Sequence, residues 1–330
     1  MTKTMRGFVL VLLSLVFATQ AATAQDSPLK WFKGNLHSHT INSDGDSPPY
    51  EVMAWYKRHG YHFLVITDHN TFTDPAPFDT NPKDNFLLIG GEEITNEKVV
   101  HVNAIGISRV IPPQTGSTPT EILKGSIDAV RAQKGVALIN HPNFLWAFTA
   151  AEMLPLKGPF LLEIASGHPI VNHAGDGRIP STEQMWDQLL SAGVEVYAAG
   201  VDDSHDFREE LGPARANPGR AWIAVRAAAL SRETILDALT NGNFYASTGV
   251  NLKDIQATNN SLTVEVRTTS NDSRHYRVVF IGKEGHVLAV SYDNPARYDF
   301  KGTEGYVRAR IEESNGLRAW TQPVIVGTKP

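Results

Sequence analysis

Two histidines and an aspartate stand close together near the start of the chain. His37 and His39 are two residues apart, so an extended backbone would point both imidazoles the same way, and Asp44 follows shortly after. Imidazole nitrogens and carboxylate oxygens are donors that bind divalent transition metals in proteins. The spacing therefore indicates a metal site.

Further donors of the same types recur along the chain, most of them directly after short apolar runs. They are Asp68, His69, Glu92, Glu93, His101, His141, Asp202, Asp203 and His205. Taken singly, each is more often a hydrogen-bonded structural residue. Several polar and charged groups cannot crowd one face of a fold unless cations compensate them, so the set as a whole predicts a multinuclear metal centre.

The segments that must position these donors read as strands, because they are short and almost continuously apolar. They cover residues 61–67, 86–89, 100–107, 136–140, 160–164, 194–201 and 221–225. Helix signals fit between several of them, for example after Pro48 and after Thr118. Such alternation predicts parallel strands with right-handed crossovers, either closed into a barrel or open and doubly wound. In both arrangements, side chains just beyond the strand ends meet on one face.

The pattern changes after about residue 250. Apolar and polar residues alternate there, and turn sequences at residues 282–285 and 315–316 separate the alternating segments. We therefore predict a domain over residues 25–249 and a small antiparallel, sandwich-like β domain over residues 250–330.

The first residues have the pattern of a cleaved signal peptide over residues 1–24. Lys3 and Arg6 precede an apolar run at 8–17, and small residues follow at 22–24. That run is too short to span a bilayer, so we expect a periplasmic or extracellular protein without stable membrane insertion after cleavage. The formal net charge of −5 disfavours nucleic acid as a partner, and the absence of cysteine excludes disulfides and thiolate metal sites.

In order and spacing, these motifs resemble those of the PHP family, the polymerase and histidinol phosphatase-like metallohydrolases. That family carries an H-x-H motif followed by an acid, a T-D-H motif, an isolated Glu, two further His and a final D-x-H. The matching positions are His37, His39, Asp44, residues 67–69, Glu93, His101, His141, Asp203 and His205. The resemblance covers residues 34–250 and implies an α/β fold, a distorted seven-stranded β/α barrel with up to three metals.

The resemblance also implies how the donors are shared among the metals. It assigns one ion to His37, His39, Glu93 and Asp203, a second to Asp44, His69 and His205, and a third to Glu93, His101 and His141, with Glu93 as the bridge. Asp44 stands where some relatives have His, and a harder carboxylate favours Mn or Fe over Zn. Glu92 competes with Glu93, and Asp202 with Asp203; the family setting and the D-x-H spacing favour the second of each pair. Asp68 is expected to orient a ligand imidazole.

The activity implied by the resemblance is hydrolysis of a small phosphorylated ester. The attacking group would be a hydroxide bridged between two or three divalent ions, Mn, Fe or Zn. His168 and His173 fall in a loop on the expected active face and are candidates to contact substrate or donate a proton. A cationic side chain that holds a phosphate would complete the site, and Arg178, Arg208 and Arg220 are the candidates. From these two groups we take His173 and Arg208 as the candidate catalytic residues.

Two alternatives stay open. Trp186 and Asp187 precede the D-x-H motif, residues 244–249 and a β domain follow it, and this order looks like the exported PHP subgroup that contains carbaryl-type esterases. The alternative there is a carboxylic or carbamate ester hydrolase with the same metal site. The other is a non-catalytic binding protein with structural metals, although structural sites are usually closed by four ligands.

Overall fold

The computed structural model describes residues 29–78, 85–208, 211–269 and 273–327. The predicted signal peptide over residues 1–24 lies outside these ranges and stays a prediction. Within them, no helix combines the length and apolar character needed to cross a membrane.

The described chain is a mixed α/β structure with several sheets and few helices. The helices are α1 (Pro49–Arg58), α2 (Pro119–Ala132), α3 (Ala150–Met153), α4 (Thr182–Ser191) and α5 (Arg232–Thr240). The first ten strands are β1 (Lys30–Asn35), β2 (Phe63–Val65), β3 (Leu87–Ile89), β4 (Gly91–Thr95), β5 (His101–Ile105), β6 (Val136–Ile139), β7 (Phe160–Ser166), β8 (Val196–Val201), β9 (Trp222–Ala227) and β10 (Phe244–Ser247). The others are β11 (Leu252–Ala257), β12 (Ser261–Val266), β13 (Tyr276–Ile281), β14 (Val287–Ser291), β15 (Ala296–Asp299), β16 (Gly305–Glu313), β17 (Arg318–Thr321) and β18 (Val324–Val326).

These strands form three sheets. The first has the order β4-β5-β6-β7-β8, in which β6, β7 and β8 run parallel. The second has the order β14-β13-β16-β17-β10-β9-β1-β2-β3, with β18 added on β16. The third has the order β11-β12-β15 and is antiparallel.

The α/β class is confirmed, but the predicted seven-stranded β/α barrel is not evident, and no sheet of the described residues closes on itself. One physical reason lies between β4 and β5. Only residues 96–100 connect these strands, which is too short for a crossover helix, so the pair is antiparallel. The strands β9 and β10 also pair antiparallel, which gives mixed sheets rather than a ring of parallel strands.

Capping residues explain where two predicted helices begin. Pro48 precedes α1, whose first residue is also proline, and Thr118 accepts a hydrogen bond from the backbone N–H of Glu121 at the start of α2. Both helices are confirmed. The helix α2 then buries Ile122, Ile127 and neighbouring apolar residues against the five-stranded sheet.

A second apolar cluster lies between the two larger sheets. It joins Phe63 and Val65 of β2 to Leu138 of β6, Leu161 of β7 and Val201 of β8. Strands β1, β2, β6 and β8 are thereby held with their carboxyl ends near one another, and these are the ends that several of the predicted metal ligands follow.

The chain beyond residue 250 forms antiparallel strands, as expected. Strand β17 pairs with β10, so the ten-stranded sheet contains strands from both sides of the predicted boundary. The division into residues 25–249 and 250–330 stays a prediction.

Candidate metal centre

The loops after four strands place donor side chains close together. His37 and His39 follow β1, His69 follows β2, and His141 follows β6. The loop after β8 contributes Asp203, His205 and their neighbours. Short backbone bridges lock these loops to one another: Ser38 pairs with Ser204 and His69 pairs with Glu93, both in parallel register.

Four side chains form a buried inner set. His37 Nε2 lies 3.3 Å from Glu93 Oε2 and 3.2 Å from Asp203 Oδ1. His39 Nε2 lies 3.3 Å from each of the same two oxygens. All four side chains are almost completely buried. The structure thus brings together the four residues that the motif resemblance assigned to one ion.

Glu93 lies between two groups of imidazoles. Its Oε2 faces His37, His39 and, at 3.1 Å, the Nδ1 of His69. Its Oε1 faces His101 Nδ1 at 3.0 Å and His141 Nε2 at 3.4 Å. A carboxylate with imidazole nitrogens at both oxygens can bridge two ions.

An outer set surrounds Asp44, whose side chain is about half exposed. Its Oδ1 lies 3.4 Å from His205 Nε2 and 3.5 Å from His39 Nδ1, and its Oδ2 lies 3.5 Å from His69 Nε2. The tight loop that carries Asp44 depends on Gly45, because a Cβ there would lie 2.6 Å from the backbone of His39. This set contains the three residues predicted for a second ion and adds His39.

The geometry of the third predicted set is less simple. His101 and His141 both face Glu93, as expected, but His101 also groups with His69, and His141 groups with His37 and Asp203. His101 and His141 therefore lie where they can supplement the other two sets as well as form a third.

The carboxylates and His39 have charge states suited to a cation, whereas His205 must lose a proton before it can bind one. Burial alone would raise the pKa of Glu93 and Asp203, but the imidazole of His37 and other histidines hold both pKa values well below their usual range. Burial lowers the pKa of His39 to about 4, so this ring is neutral. Burial would also lower the pKa of His205, yet Asp44 and Asp203 raise it to about 9.

The inner set fits a metal ion by a direct test. His39 Nε2 is buried, and despite two carboxylate oxygens 3.3 Å away it makes no hydrogen bond of ordinary geometry within the described residues. The low pKa of this ring keeps it neutral. Ligands about 2.0–2.2 Å from a tetrahedral ion lie roughly 3.3–3.5 Å apart, close to the separations between these nitrogens and carboxylate oxygens. An ion bound there would use the unpartnered lone pair and offset the repulsion between the carboxylates.

Two buried residues that the motif analysis missed support the ligands. Glu163 Oε1 lies 2.6 Å from His37 Nδ1, and Asn140 Nδ2 donates to Glu93 Oε1 at 2.7 Å. The sequence held one signal for Glu163, since it is the single charged residue in the apolar strand β7. Nothing in the local sequence indicated Asn140.

The two acids that the sequence analysis ranked below Glu93 and Asp203 make other contacts. Glu92 accepts a hydrogen bond from the backbone of Ile111, and burial raises its pKa to about 7. Asp202 accepts hydrogen bonds from Tyr56, Asn35 and the backbone of residues 219–221. Among the ion pairs of the described residues, none joins Glu92 or Asp202 to the histidine cluster, so the geometry favours Glu93 and Asp203.

Asp68 differs from its predicted role. It accepts hydrogen bonds from the backbone N–H and hydroxyl of Thr40 and from the hydroxyls of Ser43 and Thr73, rather than from an imidazole. Its carboxylate therefore organises the loop that carries Asp44. The reason is local: hydroxyl-bearing residues surround the end of β2 and offer closer donors.

The two histidines predicted to contact substrate, His168 and His173, lie in different places. The ring of His168 lies 5.3 Å from that of His205, so this residue is at the cluster. His173 instead lines a cavity of about 1290 Å³ beside α4, none of whose lining residues belongs to the predicted ligands. Burial lowers the pKa of both histidines.

The candidate phosphate clamps make other interactions. Arg208 is exposed and lies 3.7 Å from Glu51, and Arg178 is almost fully exposed beside Asp176. The guanidinium of Arg220 donates to the backbone carbonyl oxygens of Gly167 and Gly212. None of the three pairs with a predicted metal ligand among the ion pairs of the described residues.

Comparison with protein-family models finds no match, and comparison with curated proteins finds none either. Among solved structures, the chain is similar to a two-domain protein from Bacteroides vulgatus that contains a predicted PHP-like metal-dependent phosphoesterase. The two have a TM-score of 0.47 and 18% sequence identity, and the match covers 89% of this chain and 95% of that chain. It is also similar to an amidohydrolase from Chromobacterium violaceum with bound sulfate and no metal, with a TM-score of 0.38, 16% identity and coverage of 56% of this chain and 93% of that chain. Similarities this distant assign no activity to the chain.

Proposed function

We propose that this chain is a metal-dependent hydrolase and that its substrate is a phosphomonoester or phosphodiester. The observation that carries the proposal is the position of Glu93, whose two oxygens face different imidazoles. That arrangement suits two ions held side by side, as in phosphatases and nucleases. The motif resemblance to the PHP family supports the same reaction class.

The inner ion would be held by His37, His39, Glu93 and Asp203. Asp44, His69 and His205 would hold a second ion, and Glu93 with His101 and His141 a third. All of these donors are nitrogen or oxygen atoms, which suits Mn, Fe or Zn.

Divalent ions bound there would lower the pKa of a coordinated water and neutralise charge on ester oxygens. The chain's own residues control access of water and substrate to the ions. The buried inner set keeps bulk water away, whereas Asp44 and the partly exposed His69 and His205 leave the outer side open to a substrate. His168 lies beside His205 on that open side and is placed to contact the substrate.

A second candidate function is hydrolysis of a carboxylic or carbamate ester, as the resemblance to the exported subgroup suggests. Apolar side chains near the ligands favour it. Leu145 and Trp146 are 67% and 39% exposed, and they directly follow Phe144, whose ring lies 5.5 Å from that of His141. Ile170, two residues after His168, is also exposed. A substrate with an apolar acyl or aryl group would cover these side chains.

The deciding experiment is hydrolysis of a matched substrate panel by the purified chain. The panel is p-nitrophenyl phosphate, bis-p-nitrophenyl phosphate and p-nitrophenyl acetate, with Mn, Fe and Zn supplied separately after chelation. Metal-dependent phosphate release is expected. Turnover of the acetate alone would replace the phosphoesterase proposal with the ester hydrolase, and bound metal without any turnover would favour a binding protein.

The substitution His39→Ala tests the site itself. It removes a neutral, buried donor, so we expect activity to fall by more than the roughly 10–100-fold that loss of an outer-shell partner costs. Far-ultraviolet circular dichroism should stay unchanged. His275→Ala replaces an exposed histidine directly before β13, far from the cluster in sequence, and as the control it should retain activity. Full activity in His39→Ala would contradict the metal assignment.

A further inference from the structure

Glu163 is a carboxylate in an unfavourable place. All seven residues of β7 are buried, and Glu163 is only 1% exposed. Its hydrogen-bond partners are an imidazole and a backbone N–H rather than Lys or Arg. Taking a carboxylate out of water is costly even where an imidazole can pair with it. Stability alone would therefore favour an apolar residue at this position.

The two partners of Glu163 both belong to the metal centre. Glu163 Oε1 lies 2.6 Å from His37 Nδ1, and Glu163 Oε2 accepts a hydrogen bond from the backbone N–H of His141 at 2.9 Å. The rings of His37 and His141 are stacked with their centroids 5.8 Å apart. One carboxylate thus fixes a donor from the loop after β1 and another from the loop after β6.

The contact with His37 determines which ring nitrogen can bind an ion. A carboxylate only accepts hydrogen bonds, so His37 Nδ1 must carry the proton. In the neutral ring, the lone pair is then on Nε2, the atom that faces Glu93 and Asp203. Outer-shell carboxylates commonly fix the tautomer and orientation of metal-binding histidines in this way.

We infer that Glu163 is a positioning residue that sets the tautomer of His37 and the placement of His141, so that the Nε2 atoms of both rings face the carboxylates of the metal centre. The inference rests on the proposed function, because it assumes that these nitrogens bind metal. It adds to the nine ligands a residue that touches neither metal nor substrate.

Glu163→Gln is the informative substitution, because a carboxamide offers one acceptor and one donor. If its oxygen faces the N–H of His141, its NH₂ group faces His37 Nδ1 and favours the tautomer with a proton on Nε2. If its oxygen faces His37, its NH₂ group opposes the N–H of His141. Either orientation should lower metal affinity by about 10–100-fold.

The experiment measures metal binding and apo stability separately. Chelated wild type and Glu163→Gln are titrated with Mn²⁺ by calorimetry and with Co²⁺ by absorption spectroscopy, and both apo proteins are melted. We expect weaker binding and an altered Co²⁺ spectrum in Glu163→Gln, with an apo melting temperature equal to or above that of wild type. Glu92→Gln is the control: Glu92 is equally buried, on β4, but bonds to the backbone of Ile111.

Each result supports or overturns the inference. Wild-type affinity and spectrum in Glu163→Gln would overturn it, and so would an equal loss of affinity in Glu92→Gln. If Glu163→Gln does not fold, Glu163→Asp is used instead, because it keeps the charge but shortens the side chain by one methylene group. Weakened metal binding by folded Glu163→Asp supports the inference. Unfolding of both variants would show a structural role and overturn it. A wild type that binds neither metal would instead overturn the proposed function.

Discussion

Two adjacent aspartates after β8 have opposite roles. Asp203 has a left-handed backbone, with φ of 51°, and its side chain faces His37 and His39. Asp202 accepts five hydrogen bonds from α1, β1 and the backbone before β9, including one from Tyr56. Asp203 thus faces the candidate metal centre, and Asp202 fastens the loop that carries Asp203.

We predict that Asp203→Asn and Asp202→Asn separate binding from stability. Asp203→Asn should weaken Mn²⁺ binding, because it removes a negatively charged oxygen that faces His37 and His39. Asp202→Asn places an NH₂ group against donors and should lower the free energy of unfolding by about 1–3 kcal/mol. Calorimetric titration measures Mn²⁺ binding by both variants, and urea unfolding measures their stability. Weaker binding in Asp202→Asn together with lower stability in Asp203→Asn would contradict the assignments.

The sequence identifies the donors that cluster in the fold better than it identifies the residues that support them. His37, His39 and Asp203 could be identified because residues two apart on extended chain face the same way. Glu163 could not be connected to His37, because the two are 126 positions apart and only the packing of the two larger sheets against each other brings them together. Asp68 was expected to orient a ligand imidazole, but it accepts hydrogen bonds from the hydroxyls of Thr40, Ser43 and Thr73 instead.

At the scale of elements, the sequence predicts strand positions but not every pairing. Strands were expected at residues 86–89 and 100–107, and strands lie there. The intervening strand β4 was not predicted, because Gly91–Thr95 holds two glutamates and lacks an apolar pattern. Its short connection to β5 makes the pair antiparallel, and that pairing is a departure from the expected ring of parallel strands.

Strand β1 provides a prediction about pH. Lys33 Nζ lies 3.9 Å from the ring centroid of Tyr61 and 3.8 Å from that of Trp222, and burial lowers its pKa to about 8. Between that pH and the unfolded value of 10.5, the unfolded chain holds a proton that the folded chain has lost. The unfolding free energy contributed by Lys33 therefore rises with pH through this window, by about 2 kcal/mol.

Lys33→Met removes this titration and keeps a side chain of similar length. We expect the unfolding free energy of wild type minus that of Lys33→Met to increase from pH 8 to pH 10, measured by urea unfolding at several pH values. Other lysines and tyrosines titrate in both proteins and cancel in the difference. A difference that stays flat with pH would show that Lys33 keeps its ordinary pKa.

At the scale of the whole molecule, buried charges link α4 to β16. Arg308 is fully buried and donates two hydrogen bonds to Asp187, at 2.8 and 2.7 Å, and one to Glu183 at 2.9 Å. Tyr306 donates to Asp187 as well. The sequence shows Arg308 only as one charged residue in an alternating strand. Its partners are more than a hundred positions away, so neither this link nor the sheet shared across residue 250 follows from local pattern.

We predict that Arg308→Met lowers the free energy of unfolding by about 3–5 kcal/mol, since removing one member of a buried ion pair leaves the other charge uncompensated. Adding Asp187→Asn should recover much of that loss, because the amide carries no charge and still accepts from Tyr306. Urea unfolding measures both. The folded variants should bind Mn²⁺ as wild type does, because neither residue is a ligand of the metal centre. If Arg308→Met alone were as stable as wild type, the buried ion pair would contribute nothing to holding α4 against β16, and apolar contacts such as those of Trp186 would have to account for that packing.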